Sequence, residues 1–314
     1  MNIDVEKNAR SPAFDGALRL AGWGVIRAQG PDAASFLHSQ LTQDVQGLGA
    51  GQARLAGYCS AKGRLLATFV LWPLGEHDIA LACSAELLPA MLKRLSMFVL
   101  RAKCKLSDAS DTVELWGLAG PSAQQWLGAD LPASAWQCAS VQGGQVIRLP
   151  DADDLPRLLW AAAAGTPPPA LPPLSLPAWQ WLEVRSGVAR ITAATVEQFV
   201  PQMVNLELVG GVSFRKGCFP GQEVVARSQY RGTLKRRSYV VNCSAALVPG
   251  QEVFHSADAE QPAGMVVLAA SLPPDRHNAL VELKIAALEG GTLHAGDALL
   301  SVAELPYSLD TEVV

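Results

Sequence analysis

The segment richest in chemistry is Lys216-Gly217-Cys218-Phe219-Pro220-Gly221-Gln222-Glu223, followed by VVARSQYRG. Pro220 and Gly221 predict a tight turn. Gln222 to Tyr230 has helical character, with apolar residues at 224, 225 and 226. Glu223 in its first turn suits the positive end of the helix dipole. Cys218 then stands just ahead of a helix amino terminus and two residues from Lys216, and both neighbours favour thiolate over thiol. That is the setting of a reactive or ligating cysteine tuned by a lysine. The plain alternative is a tight turn that happens to carry a thiol. Arg227, Arg231, Lys235, Arg236 and Arg237 extend the positive field and could receive phosphates or carboxylates, or form a solvated basic face.

Residues 215–237 hold seven of the 25 basic residues and one acid, so this strip carries +6. The whole chain of 314 residues is −4, which leaves −10 for the rest. Mild overall acidity argues against a generic nucleic-acid or membrane-surface coat. With 49% hydrophobic and 17% charged residues the chain lies far from disordered compositions. Its length suggests two domains and allows three. MNIDVEKNAR is polar and charged and does not read as a signal peptide. No run approaches 18 apolar residues, so no membrane helix is expected. Cysteines at 59, 83, 104, 138, 218 and 243 form no CxxC, which suits the free thiols of a cytoplasmic protein. There is no GxSxG and no Walker A; GGVSFRKG (210–217) places its lysine before the last glycine, the wrong order. The histidines at 38, 77, 255, 277 and 294 lack HxH or HxxxH spacing, so local sequence offers no zinc site.

The elements that must position these residues read as α+β. Trp23 to Arg27 predicts a strand and Asp32 to Leu41 a helix. LLATFVLW (65–72) predicts a buried strand with HDIALACS (77–84) as its partner. Ala85 to Val99 has helical period, and VELWGLAG (113–120) is a strand running into the helix PSAQQWLGA. DADDLPRLLWAAAA (151–164) reads as a helix, its early acids at the amino end and its apolar run as the body. Residues 165–177, GTPPPALPPLSLP, hold six prolines and predict an extended surface connector. After Arg237, five short β-like runs in about 75 residues predict a small barrel or sandwich, with the boundary near 237–240.

KGCFPGQE followed by VAR and YRG resembles the signature of the YgfZ proteins, folate-binding relatives of the aminomethyltransferase (T-protein) of the glycine cleavage system. WGVIRAQGPDAASFLHSQLTQDV (23–45), CSAKGR (59–64), FVPQMVNLELVGGVSFRKGC (199–218) and LPYSLDT (305–311) are similar to further blocks, so the resemblance spans nearly the whole chain. It implies an α+β, T-protein-like multi-subdomain fold. Two intertwined subdomains in 1–237 would surround a central opening, and 238–314 would form a C-terminal β-barrel. It implies tetrahydrofolate, plain or polyglutamylated, in that opening. It further implies an accessory or regulatory role in iron–sulfur cluster assembly or repair and in iron–sulfur-dependent tRNA modification. Partners would be iron–sulfur proteins such as a tRNA methylthiotransferase; direct cluster or tRNA binding stays open.

By the same resemblance Trp23 and Trp179 match two tryptophans that line the folate site, where a flat indole suits a pterin ring. Alone, each would be read as core. Arg185, Asn205 and Arg227 complete the expected cofactor set. Gly217, Gly221, Gln222 and Glu223 form the signature loop around Lys216 and Cys218. Cys59 matches a second cysteine of some relatives and is expected near Cys218.

Two departures stand out. Leu66 and Ala67 occupy the place of the transferases' aspartate pair, and neither can act as acid or base. Arg185 stands where relatives carry a glutamate for the pterin's N–H edge, and a guanidinium only donates. Three readings follow: a folate-binding accessory protein, a folate-dependent one-carbon (aminomethyl) transferase, and an RNA-binding adaptor using the basic strip. The strip could instead hold a folate polyglutamate tail.

Overall fold

The computed structural model describes residues 14–230 and 234–309. The amino-terminal MNIDVEKNAR, Arg231 and the last residues of LPYSLDT lie outside that range.

Two five-stranded antiparallel sheets and a closed barrel organise the chain. The first sheet orders β1 (Gly16–Arg19), β7 (Val113–Ala119), β10 (Leu155–Ala163), β9 (Gly144–Ala152) and β8 (Cys138–Val141). The second orders β3 (Arg54–Cys59), β4 (Leu65–Gly75), β5 (Asp78–Ser84), β2 (Trp23–Gln29) and β6 (Lys105–Asp108). Helices α1 (Ala33–Gln40), α2 (Leu88–Ser96) and α3 (Gly120–Leu127) connect these strands. One core layer joins the sheets: Val25, Val70 and Ala82 of the second meet Leu149, Leu159 and Ala161 of the first, with Trp179 among them. The run LLATFVLW shows no alternation because both faces of β4 are covered, and all eight residues are buried.

The stretch 151–164 corrects the helix expected there. It is the end of β9 and the whole of β10, joined by Asp153 and Asp154, both with positive φ (51° and 63°). A two-residue hairpin needs that backbone, and aspartate tolerates it better than most side chains. The acids that resembled a helix start are therefore a turn. The alanine-rich run is the central strand of its sheet, whose neighbours β7 and β9 decide its conformation over helix propensity.

The proline-rich connector is extended, as expected. It lies along the edge of β1, where Ala17 donates to the Pro172 carbonyl and Leu174 donates to that of Ala17. It leads into α4 (Leu176–Arg185), whose amino end is capped by the Ser175 side chain accepting from Ala178 N–H.

The last quarter is the barrel β11 (Arg236–Cys243), β14 (Arg276–Lys284), β13 (Gly264–Leu272), β12 (Glu252–His255), β15 (Leu293–Ala295) and β16 (Ala298–Val302). It has six strands where the sequence suggested five; the three-residue β15 is too short to show a period. Strand alternation explains its apolar runs. Tyr239 and Val241 fill the barrel, while Val240 between them packs into the main core with Leu268 and Leu280.

Candidate functional site

Between the two sheets a small cavity opens to solvent. Trp23 at the start of β2, Thr68 on β4, Trp136 just before β8 and Arg157 on β10 line it, together with Glu183 of α4 and Arg190 just beyond. Glu183 follows Trp179 by four residues, so a charged residue lies on the core face of α4. Arg190 neutralises it: Nε reaches Oε1 at 3.0 Å and Nη2 reaches Oε2 at 3.2 Å. Arg190 also donates to Ser84 at 2.8 Å and lies over the Trp23 ring at 5.3 Å. Trp136 is fixed by its indole N–H on the Val209 carbonyl, 3.0 Å. Thr68 accepts from the Ile191 amide at 3.1 Å.

Arg157 is the least satisfied group in this wall. It is 4% exposed, and Pro156 before it interrupts the ladder, so the β9–β10 register shifts between Leu155 and Arg157. The guanidinium lies over the Trp179 ring at 5.1 Å. Among the described residues its side chain makes one hydrogen bond, to the Pro150 carbonyl at 3.4 Å, and Nε is without a partner. Burial pushes its pKa down to about 10.

Of the residues assigned by resemblance, Trp23 lines the cavity. Trp179 is enclosed in the core, pressed on Gly117, where a Cβ would come within 2.6 Å of its ring. Arg185 points elsewhere, in a bidentate pair with Asp153 of the β9–β10 turn (Nε–Oδ1 2.8 Å). Asn205 is buried with φ 55° and donates to the Ser238 carbonyl at 2.7 Å and to Tyr307 at 3.2 Å. It clasps β11 and the C-terminal segment to the body. Arg227 is exposed on α5 (Gln222–Tyr230). Sequence reasoning missed Trp136, Arg157, Glu183 and Arg190. For Glu183 the signal was available, a carboxylate in phase with Trp179; for the others it arises only once the sheets face each other.

The thiol loop is a separate feature. Gly221 (φ +78°) sits so close to the CSAKGR turn that a Cβ would fall 2.4 Å from the Ser60 carbonyl and 2.6 Å from Gly63 Cα. Two signature segments 160 positions apart are thus fitted backbone to backbone, and glycine is required. The loops meet, but their cysteines differ: Cys218 is exposed, while Cys59 is enclosed at the end of β3 and burial pushes it to about 12. Both are free thiols. Lys216 donates to the His38 and Leu41 carbonyls at the end of α1, the latter at 2.9 Å, and lies over the Phe219 ring at 4.8 Å. Desolvation lowers it to about 8, against the opposing influence of Asp44 and Cys218. Gly217 and Gln222 flank this loop, the latter opening α5 with Glu223 in its first turn.

The basic strip is partly consumed by the fold. Arg237 is buried and paired with Glu207, and Arg236 pairs with Glu282 at 2.7 Å. Arg215, Arg227 and Lys235 remain exposed.

The architecture defines a class before it defines a family. The solved aminomethyltransferase T of the glycine cleavage system from Bartonella henselae is similar with a TM-score of 0.74, covering 94% of this chain and 87% of that one at 19% identity. The model of the GCVT N-terminal domain matches residues 18–147. The chain therefore has the T-protein-like fold, mixed helix and sheet with a six-stranded C-terminal barrel. Among curated proteins, the tRNA-modifying protein YgfZ of Edwardsiella ictaluri is 36% identical over 74% of this chain and 72% of its own length. That of Photobacterium profundum is 30% identical over 93% and 92%. The chain belongs to the YgfZ family. Among the described residues no helix is long and apolar enough to cross a membrane.

Proposed function

We propose that this protein is a folate-binding accessory factor of tRNA modification, holding tetrahydrofolate in the Trp23 cavity and presenting Cys218 to an iron–sulfur partner. The observation that carries the reading is the composition of the cavity wall. Two indoles, Trp23 and Trp136, flank a space with a buried, underused donor, Arg157. A flat heterocycle with hydrogen-bond acceptors suits those groups. Trp23, Trp136 and Arg157 would hold it; bound tetrahydrofolate would supply one-carbon chemistry. The name of the relatives, tRNA-modifying protein, supports the process.

The transferase reading is weaker. Leu66 and Ala67 are buried core residues of β4, and Thr68, which does reach the cavity, is no acid. Glu183, the lining carboxylate, is engaged through both oxygens by Arg190, which holds it on that partner. Calorimetric titration with tetrahydrofolate tests the proposal. Wild type is expected to bind and Trp23→Ala to bind at least tenfold more weakly. Absence of binding heat across a range of temperatures in wild type would overturn it.

A further inference from the structure

We propose that Arg157 sets the specificity of this cavity by donating to an oxo group on the bound ring, so that the site takes 4-oxo pteridines and rejects their 4-amino counterparts. The inference rests on the folate reading above and names the chemistry that reading leaves open.

Arg157 is unusual for its place. It lies in a strand paired on both sides, with Ala119 and Leu149 as cross-strand neighbours. An arginine so deeply buried is ordinarily matched by a carboxylate, because leaving a charge unpaired in the interior costs several kcal/mol. The acids near Arg157 are taken. Glu183 gives both oxygens to Arg190. Asp151 gives both to Arg148, at 3.3 and 2.8 Å. What Arg157 holds itself is one long contact to the Pro150 carbonyl. Five N–H donors and one 3.4 Å bond leave most of its capacity unused. The Trp179 ring holds the guanidinium in place from one side, a cation–π contact that uses no N–H.

This arrangement discriminates by donor and acceptor rather than by shape. A guanidinium has no lone pair to offer. The carbonyl of a 4-oxo pteridine accepts from it, whereas a 4-amino group presents N–H against N–H. Sites built to satisfy one polar group reject the analogue lacking it by orders of magnitude, since the buried partner is then unpaired. Trp23 and Trp136 contact ring faces common to both compounds and do not discriminate.

Folic acid and aminopterin have the same oxidation state, and at the pteridine 4-position they differ as oxo against amino. Their affinities are to be compared by calorimetry on wild type, Arg157→Gln and Arg157→Lys, with tetrahydrofolate as reference and a thermal melt for each variant. Wild type is expected to prefer folic acid by about 100-fold or more. Arg157→Gln, whose amide can donate or accept, is expected to narrow that ratio to below about tenfold. Arg157→Lys keeps the charge and should fall between them. Equal affinity of wild type for the two compounds would overturn the inference while leaving the folate reading intact. Binding of neither compound nor tetrahydrofolate would end both. A folded Arg157→Gln that keeps the full preference would show that Arg157 braces Trp179 and does not read the ligand. Even if both variants fail to fold, the wild-type comparison can still overturn the inference.

Discussion

At the scale of single residues, the six cysteines divide sharply. Burial raises Cys59 and Cys83 to about 12 and Cys243 to about 11, and it also raises Cys104 and Cys138. Cys218 alone is exposed. A charged alkylating agent at neutral pH should therefore modify one thiol in the native protein, and mass spectrometry should find none in Cys218→Ser on the same timescale. Labelling of Cys59 at a comparable rate would contradict the structure. Lys216 invites a second measurement. Its folded pKa, about 8, lies below the ordinary 10.5 because desolvation disfavours the ammonium. The native state thus holds the neutral amine between those values, and this group's contribution to stability rises with pH across that window. Acylation of Lys216 should reach half its maximal rate near pH 8; a midpoint at the ordinary 10.5 would refute the shift. Sequence reading located both residues but assigned the lysine to the thiol. The His38 and Leu41 carbonyls that it serves lie 175 or more positions away, and no local pattern announces such a partner.

At the scale of elements, the β9–β10 hairpin shows where local signals mislead. Acids before an apolar, alanine-rich run are correct helix grammar, and the neighbouring strands override it. What local sequence does carry is the Asp-Asp turn. Asp154 at φ 63° is in a conformation that β-branched side chains resist. Asp154→Val should cost about 1–2 kcal/mol, and Asp154→Gly should stay within about 0.5 kcal/mol of wild type. Urea unfolding at unchanged slope would measure both; a neutral valine would mean the turn is not held. Asp153 is the poorer probe, because its carboxylate also fixes Arg185. Strands β2, β4, β5 and β7 and helices α1, α2, α3 and α5 were legible because each carries its signal, an apolar run, a helical period or a turn residue, within its own segment. The cavity was not, since Arg157 and Glu183 become neighbours only when the sheet and α4 pack.

At the scale of the molecule, the fold redistributes the charge that the sequence concentrates. Arg237 and Glu207 are buried together where β11 meets the body, and Asn205 binds the Ser238 carbonyl and Tyr307 beside them. These contacts, with Val240 and Leu280 in the main core, make the barrel part of the body and not an appended module. They also remove cations from the +6 strip. If RNA binds there, the exposed cations among the described residues are Arg215, Arg227 and Lys235, and even with Arg231, which lies outside them, at most four of the seven could contact phosphate. The slope of log K against log salt should then be no steeper than about −4, where seven contacts would approach about −6. Arg227→Ala combined with Lys235→Ala should lower the slope by about 2. The competing surface is definite: Lys93, Arg94, Arg101, Lys103 and Lys105 fall within 13 residues that contain no acid. A slope steeper than −4 that ignores the double substitution would therefore move RNA binding from the strip to the end of α2 and the approach to β6. Filter binding of bulk tRNA over a salt series distinguishes these outcomes, because the count of released counterions reports the number of cations engaged.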